Sequence, residues 1–228
     1  MTNPDEHMII ALDGPAASGK GTLAKNLAMA LNFRHMDTGA LYRASAYEVL
    51  QNQGDPSRED DALAGCNTLK SKILGAENLN DVLGNPDLRK DETGTAASKL
   101  AAIPAAREAL KSIQIDFAHE QKQGYGGGIL DGRDIGTVIC PNAHLKLYIE
   151  ADTEVRAKRR LKELQSKGLD VTYSAVFAEM RERDARDTQR DTAPLHAASD
   201  AIMINTSHLS EEEVLSKALS CVREIRHS

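Results

Sequence analysis

The sequence has little cysteine and little aromatic character, and it has no tryptophan. Its three cysteines, Cys66, Cys140 and Cys221, lie far apart and form neither a CxxC nor a Cys/His spacing. This pattern argues against a disulfide framework or a zinc site and fits a reducing compartment. Three Phe and five Tyr offer few surfaces for base stacking, and the formal net charge of -6 repels polyanions. We therefore expect no nucleic-acid partner and no membrane partner.

The sequence also lacks a long apolar run. The opening residues MTNPDEH contain no basic region followed by an apolar segment, and no stretch approaches the length needed to span a bilayer. We expect a cytoplasmic monomer. The 228 residues suit either a single α/β domain with a substantial core or a core domain that carries small mobile appendages.

What the sequence does contain is an alternation of short apolar runs with helical periodicity. Helices are predicted over 20–31, 38–50, a segment capped by Ser57, 96–123 with a break at Pro104, 153–167, 174–187, and a last segment that opens with a capping box from Ser210 to Glu213. Strands are predicted over 8–13, in a short piece before residue 38, after the glycines of GYGGG, in HLKLYIEA and in AIMINT. Residues 74–95 are predicted to be loop with at most short structured pieces. Strands separated by helices predict a parallel sheet with right-handed crossovers.

The stretch from Gly14 to Lys20, GPAASGK, follows the GxxxxGK pattern between a predicted strand and a predicted helix. Its backbone N–H groups can surround a phosphate, the helix N-terminus adds its dipole, and Lys20 can reach the outer phosphates. Gly21 stands where a Ser or Thr usually binds magnesium, and Thr22 comes one residue later. We therefore expect Mg²⁺ to be carried by nucleotide phosphates and water, with few or no direct protein ligands.

Two further stretches bear on a second substrate. In MDTGALYR, residues 36–43, binding by the polar side chains competes evenly with a simpler interpretation, in which Thr38 caps a helix and Arg43 is solvated. In ILDGRDIGTV, residues 129–138, charged residues follow an apolar strand. Because open parallel sheets bind ligands beyond the carboxyl ends of their strands, a functional role is favoured over an ordinary charged turn.

Two charged segments near the C-terminal third are ambiguous by themselves. In MRERDARDTQRD, residues 180–191, Arg183, Asp187 and Arg190 have the spacing i, i+4 and i+7, which predicts one helical face. The alternative is an exposed helix with many salt bridges. EVRAKRR, residues 154–160, is either a solvated basic face or part of a lid over donor phosphates.

Taken together, DGPAASGKGT, MDTGALYR, AASKLAAIPAAREAL, DGRDIGTV and RDARDTQRDTAPL resemble the bacterial cytidylate kinases, a family of P-loop nucleoside monophosphate kinases. The resemblance covers most of the chain. It implies ATP-dependent phosphorylation of CMP and dCMP in pyrimidine metabolism. The implied fold is a P-loop kinase core of a parallel sheet flanked by helices, with a small monophosphate-binding insert and a lid.

The resemblance also assigns residues by matching motif. It implies ATP binding by the loop Gly14, Pro15, Ala16, Ala17, Ser18, Gly19, Lys20, Gly21 and Thr22, and by Arg159. It implies base recognition by Thr38, Arg107 and Asp134, sugar recognition by Ser98, Arg183 and Asp187, phosphate binding by Arg43, Arg133 and Arg190, and a further substrate contact from Tyr42. Lys20, Arg133 and Arg190 are the implied catalytic residues, and no residue is implied as a metal ligand.

The predicted division of residues 1–228 follows the family pattern. The core is expected over about 8–37, 124–152 and 198–228, the monophosphate-binding region over about 38–123, and the lid over about 153–197. Residues 66–95 depart from the family, because they are shorter than the small β-sheet insert of many relatives and lack alternating β-branched residues. A GTPase would need an NKxD motif, which the sequence lacks. An adenylate, uridylate or other small-molecule kinase is the remaining alternative.

Overall fold

Five strands form one sheet in the order β2-β3-β1-β4-β5, as seen in a computed structural model that describes residues 7–226. The strands are β1 Met8–Asp13, β2 Arg34–Asp37, β3 Gly127–Gly132, β4 Leu145–Glu150 and β5 Ile202–Asn205. β1 pairs in parallel with β3 and β4, and β4 pairs in parallel with β5. The predicted parallel sheet is confirmed. Most of the opening segment MTNPDEH lies outside the described residues.

Helices connect the strands. They are α1 Lys20–Leu31, α2 Thr38–Gln51, α3 Glu59–Gly75, α4 Leu79–Leu83, α5 Asp91–Leu100, α6 Pro104–His119, α7 Thr153–Ser166, α8 Tyr173–Gln189 and α9 Glu211–Arg226. A 3-10 helix spans Pro86–Arg89, and a π-helical turn spans Ile135–Ile139. No helix within residues 7–226 is both long and apolar enough to cross a bilayer.

The core lies between the sheet and the helices α1 and α9. Ile10 and Leu12 of β1 are fully buried there, together with Leu27 of α1 and Ala218 of α9. The spacing of apolar residues along α1 and α9 is that of a helix with one face against a sheet. This packing fixes the carboxyl end of β1 and the N-terminus of α1, where the glycine-rich loop lies.

Several predicted helix boundaries are confirmed and others are wrong. Pro104 begins α6, as the predicted break requires, and Ser210 and Glu213 form the reciprocal bonds of a capping box. The N-cap of α3 is Arg58 rather than Ser57, whose hydroxyl instead bonds to Asp55. The N-cap of α2 is Asp37 rather than Thr38, because the Asp37 carboxylate accepts the Ala40 N–H.

Two more corrections concern the polar segments. Residues 74–95 contain the end of α3, the short helix α4, the 3-10 helix and the start of α5 at Asp91, five residues before the helical start expected at Ala96. The acidic first turn of α5 complements the helix dipole there. Helix α8 ends at Gln189, so the prediction that Arg190 shares a helical face with Arg183 and Asp187 is wrong.

The chain divides into two compact units. Within the described residues, the first comprises 7–36, 117–189 and 193–226, and it contains the sheet. The second comprises residues 37–116 and 190–192, and it is helical. Within the second unit, α2 packs against α3 and α5. The close approach of α3 depends on Gly65, where a Cβ would lie 2.5 Å from the Ser45 carbonyl oxygen.

Candidate active site

The glycine-rich loop joins β1 to α1 in the geometry that the GxxxxGK pattern predicts. A Cβ at Gly14, whose φ is +149°, would lie 2.0 Å from the Ile149 carbonyl oxygen, so only glycine fits where the chain leaves the sheet. Gly19 has φ 92° and precedes the first residue of α1, Lys20, which is buried. Pro15, Ala16, Ala17, Ser18, Gly21 and Thr22 complete the predicted loop.

Ser18 supplies the clearest sign that the loop is built around a ligand. Its hydroxyl is fully buried and has no hydrogen-bond partner among the described residues. Buried hydroxyl groups are nearly always satisfied, so this hydroxyl is available to hydrogen-bond a group bound in the loop. Phosphate oxygens at this loop would satisfy the hydroxyl and the surrounding backbone N–H groups.

Arg159 lies beside this loop and is connected to it through Thr206. The Arg159 guanidinium donates to the Thr206 hydroxyl and carbonyl at 3.0 and 2.6 Å, and the Thr206 hydroxyl donates to the Ser18 carbonyl at 2.8 Å. The structure therefore places this predicted ATP-binding arginine, which belongs to α7, at the phosphate loop.

Arg156, one turn before Arg159, is the more deeply buried arginine of α7. Its guanidinium binds both carboxylate oxygens of Asp184 on α8, at 3.1 and 2.7 Å. It also donates to the Ala16 carbonyl of the phosphate loop at 3.2 Å. A bidentate arginine pair of this kind fixes orientation as well as distance. Arg156 therefore holds α7, α8 and the loop together.

At the carboxyl end of β3, Arg133 and Asp134 precede the π-helical turn. The turn is anchored by Asp13 at the end of β1, whose carboxylate oxygens accept the N–H groups of Ile135 and Gly136 at 2.8 and 2.7 Å. Burial raises the pKa of Asp13 to about 6, although these two backbone hydrogen bonds oppose the rise. Asp134 is buried as well.

Two of the predicted substrate residues form an ion pair. Arg133 Nε donates to the Asp187 carboxylate at 2.8 Å, and Asp187 is buried on α8. Arg183 lies one turn earlier on the same helix. Asp131, one of the charged residues after the β3 apolar run, instead contacts His35 of β2 at 2.7 Å.

In the second unit, Arg43 pairs with Asp37 at 2.5 Å rather than being solvated. Gly39 makes room for this contact, since a Cβ there would lie 3.0 Å from Asp37 Oδ1 and 3.1 Å from an Arg43 nitrogen. Thr38 is buried at the first residue of α2. The alternative of a Thr38 cap with a solvated Arg43 is therefore wrong.

The second unit also contains the remaining predicted residues. The Arg107 guanidinium lies 5.5 Å from the centroid of the Tyr42 ring and donates to the Ala101 carbonyl. The Ser98 hydroxyl is buried and has no hydrogen-bond partner among the described residues. Arg190 belongs to this unit too.

Comparison with known proteins identifies the family. The sequence model described as "Cytidylate kinase" matches residues 10–224. The chain belongs to the cytidylate kinase family. The cytidylate kinase of Rhodospirillum rubrum is 49% identical over 93% of this chain and 95% of its own length. That of Paramagnetospirillum magneticum is 49% identical over 94% and 97%, respectively.

A solved structure has the same fold. An uncharacterized protein from Eubacterium ventriosum superposes with a TM-score of 0.52 over 96% of this chain and 99% of its own, at 15% identity. For this member of the cytidylate kinase family, the likeness to the solved structure concerns the fold alone. The sequence matches carry the family assignment.

In this cytidylate kinase family member, the sequence analysis did not identify the contacts by which Asp13 and Arg156 hold the site together. Asp13 lies at the end of an apolar strand, and its partners are more than a hundred residues away. Arg156 is one of four basic residues in EVRAKRR. One signal did exist for Asp13, because a carboxylate at the end of a buried strand requires a partner.

Proposed function

We propose that this protein transfers the γ-phosphoryl group of ATP to CMP and dCMP, which yields ADP with CDP or dCDP in pyrimidine nucleotide metabolism. The observation that carries the proposal is the phosphate loop from Gly14 to Thr22, with its unsatisfied Ser18 hydroxyl, in a chain 49% identical to a curated cytidylate kinase. The enzyme is accordingly a nucleoside monophosphate kinase.

The phosphate loop binds the donor ATP. Its backbone N–H groups and the N-terminus of α1 surround the phosphates, the Ser18 hydroxyl donates to one of their oxygens, and Lys20 neutralises the outer phosphates. Arg159 adds positive charge beside the loop, where its contact with Thr206 already places it. In this role Lys20 is catalytic, because it offsets charge on the group that moves.

Mg²⁺ accompanies ATP and neutralises phosphate charge. Gly21 has no side-chain oxygen to offer, and a Cβ at Gly21 would meet nothing within 4 Å. This open space fits a hydrated ion that the nucleotide brings with it, since magnesium gives up its waters reluctantly. The chain's own residues would then bind the phosphates rather than the metal.

The acceptor nucleotide is bound by the residues that the family resemblance assigns. By that resemblance Arg133, Arg43 and Arg190 bind its phosphate, Asp134, Thr38 and Arg107 its base, and Arg183, Asp187 and Ser98 its sugar. Tyr42 orients Arg107 through its ring. The unsatisfied Ser98 hydroxyl supports its role in sugar binding.

The proposed reaction is a direct in-line transfer with no covalent enzyme intermediate. The protein contributes orientation of the two nucleotides and charge at the moving phosphoryl group. Lys20, Arg133 and Arg190 supply that charge. Arg133 already lies in a charged environment, because its Nε is bound to Asp187.

Two groups of helices form the regions that the family resemblance implies. Residues of about 38–123 form the monophosphate-binding region, and α7 and α8 within about 153–197 form the lid. We further infer a cytoplasmic monomer that binds neither nucleic acid nor membranes, for which the net charge of -6 and the three free cysteines are the support.

A nucleotide panel tests the proposal. ADP release is followed with ATP and Mg²⁺ against CMP, dCMP, UMP, AMP and GMP. CMP and dCMP are expected to exceed AMP and GMP in kcat/KM by at least ~10²-fold. Equal or better use of AMP, UMP or GMP would replace the cytidylate reaction with that of another nucleoside monophosphate kinase.

A further inference from the structure

The side chain of Asp13 connects two segments that are more than a hundred residues apart in the sequence. Its two carboxylate oxygens accept the consecutive N–H groups of Ile135 and Gly136, at 2.8 and 2.7 Å. The residue is 5% exposed. Burying a carboxylate is costly unless its hydrogen-bonding capacity is used, and here both oxygens are used.

The π-helical turn cannot satisfy these two N–H groups by itself. Within the turn, Val138 and Ile139 donate to the Asp134 carbonyl, and Cys140 donates to the Ile135 carbonyl. The N–H groups at the start of any helical turn have no partner inside it. Asp13 supplies that partner, so the position of the turn depends on this carboxylate.

The main chain of Asp13 is held independently of its side chain. Asp13 pairs with Gly132 of β3 and with Tyr148 of β4 in the sheet. The start of the phosphate loop is therefore fixed by backbone pairing and by Gly14. A change in the Asp13 carboxylate should disturb the turn after Arg133 and Asp134 much more than the loop.

We propose that Asp13 is a positioning residue that holds Arg133 and Asp134 in the orientation that binds CMP. This role rests on the proposed function, in which Arg133 binds the acceptor phosphate and Asp134 binds the base. Asp13 itself touches backbone amides rather than substrate. Its effect therefore falls on CMP binding rather than on ATP binding.

The charge state of Asp13 controls how well its carboxyl group can accept the two amide hydrogen bonds. A protonated carboxyl group has an O–H in place of one acceptor and cannot accept from both amides equally. The pKa of Asp13 is raised to about 6, chiefly by burial and also by the neighbouring Asp134, while the two backbone hydrogen bonds and Lys20 oppose the rise. Cys140 and Tyr148 face the same carboxylate, and burial raises the pKa of each, so both are neutral near that pH. Acid should therefore weaken CMP use.

Steady-state kinetics of Asp13→Asn tests the role. The amide keeps one acceptor and places an NH₂ group against the other N–H, which imitates the protonated acid. The KM for CMP is expected to rise by about tenfold, while the KM for ATP stays within about twofold. A folded variant with an unchanged KM for CMP, or with equal losses for both substrates, would overturn the proposal.

The pH dependence separates positioning from a general structural defect. The wild-type advantage over Asp13→Asn in kcat/KM for CMP should shrink as the pH falls through about 6, because the wild-type carboxyl then becomes protonated. The CMP phosphate titrates identically with both proteins and cancels in the ratio. A ratio that is constant across this range would contradict the role.

Asp200→Asn is the matched control. Asp200 pairs with Lys146 at 2.9 Å, and the methylene groups of Lys146 lie beside Gly136. This control removes a carboxylate near the same turn without touching its amide partners. Both KM values should stay within about twofold of wild type.

A second variant covers the case in which Asp13→Asn does not fold. In Gly136→Ala, the added Cβ would lie 3.1 Å from a Lys146 methylene group and 3.4 Å from Asp13 Oδ2. The Lys146 side chain and the turn must give by a few tenths of an ångström, and the KM for CMP should rise about threefold; an unchanged value would argue against the proposal. Failure of wild-type protein to use CMP would instead refute the proposed function.

Discussion

Arg133 Nε lies 2.8 Å from the Asp187 carboxylate, which joins the segment after β3 to helix α8. Both side chains are largely buried, and both are proposed to bind the acceptor nucleotide. A buried partner left alone after its counterion is removed is costly. The pair therefore orients two substrate-binding groups through a single contact.

Replacement of Asp187 tests that contact. We expect Asp187→Ala to lower kcat/KM for CMP and dCMP by at least ~10²-fold, because it removes a sugar ligand and releases Arg133. The KM for ATP should change little. Glu182→Ala, an exposed residue of the same helix, is the control and should behave like wild type. A fall in melting temperature without a kinetic effect would mean that the pair is only structural.

Lys20 should act mainly in the transition state. We expect Lys20→Ala to lower kcat by at least ~10²-fold, by analogy with the loss of one preorganised electrostatic group. Lys25→Ala removes an equal charge from the exposed side of the same helix and should leave kcat unchanged. Near-normal turnover by folded Lys20→Ala, measured in single-turnover experiments, would contradict the assignment.

Replacement of Arg156 should mainly lower the stability of the folded protein. Its guanidinium makes five hydrogen bonds, to Ala151, Ala16, Thr153 and both oxygens of Asp184. A lysine cannot reproduce this planar fork. Arg156→Lys is therefore expected to lower the free energy of unfolding by about 2 kcal/mol in urea titrations. Arg160→Lys, in a partly exposed pair with Glu163, should lower it by less than about 0.5 kcal/mol.

The phosphate loop could be predicted from the sequence, whereas the partners of Asp13 and Arg156 could not. The loop, β1 and α1 were predictable because the glycine pattern and the apolar spacing are local. The partners of Asp13 and Arg156 depend on tertiary packing, which no local pattern encodes. The prediction that Arg190 lies on the helical face of Arg183 and Asp187 was wrong, since the charge spacing continues past Gln189, the last helical residue.

For the candidate site, the sequence likewise predicted which residues take part but not which partners they contact. Motifs indicated Arg133, Asp187, Arg43 and Arg107 by residue type, and the structure places each beside a specific partner. They did not indicate that Arg43 would pair with Asp37 or that Asp37 would cap α2. One carboxylate at a helix N-cap can satisfy an N–H group and an arginine together, and only the fold shows which acid does so.

The pH dependence of the stability should reveal the raised pKa of Asp13. Its pKa rises from 3.8 to about 6 on folding, so the folded state binds this proton more tightly than the unfolded state. Wild type therefore loses stability from this group as the pH rises between these values, by about 1.4 kcal/mol per pH unit. Asp13→Asn has no such titration. Its melting temperature should gain on that of wild type from about pH 4 to about pH 6; a constant difference would contradict the burial effect.

The base preference should depend on Asp134. Cytosine presents an amino donor at N4, which a carboxylate can accept, whereas uracil presents O4 there. Uracil would leave the buried Asp134 facing an acceptor, at a cost of about 1 to 3 kcal/mol, or about 5- to 150-fold. An asparagine can turn its NH₂ group towards O4. We therefore expect Asp134→Asn to lose CMP activity and to narrow the CMP to UMP ratio of kcat/KM by ~10-fold or more.

The control for this base preference is Asp152→Asn, an exposed residue beyond strand β4 whose side chain makes no cap bond. The CMP to UMP ratio of kcat/KM for Asp152→Asn should equal that of wild type. Circular dichroism must show that Asp134→Asn is folded, because Asp134 also begins the π-helical turn. If the folded variant keeps the wild-type ratio, Asp134 does not read the base. Its carboxylate would then serve to orient Arg133 towards the acceptor phosphate, and CMP and UMP would lose kcat/KM equally.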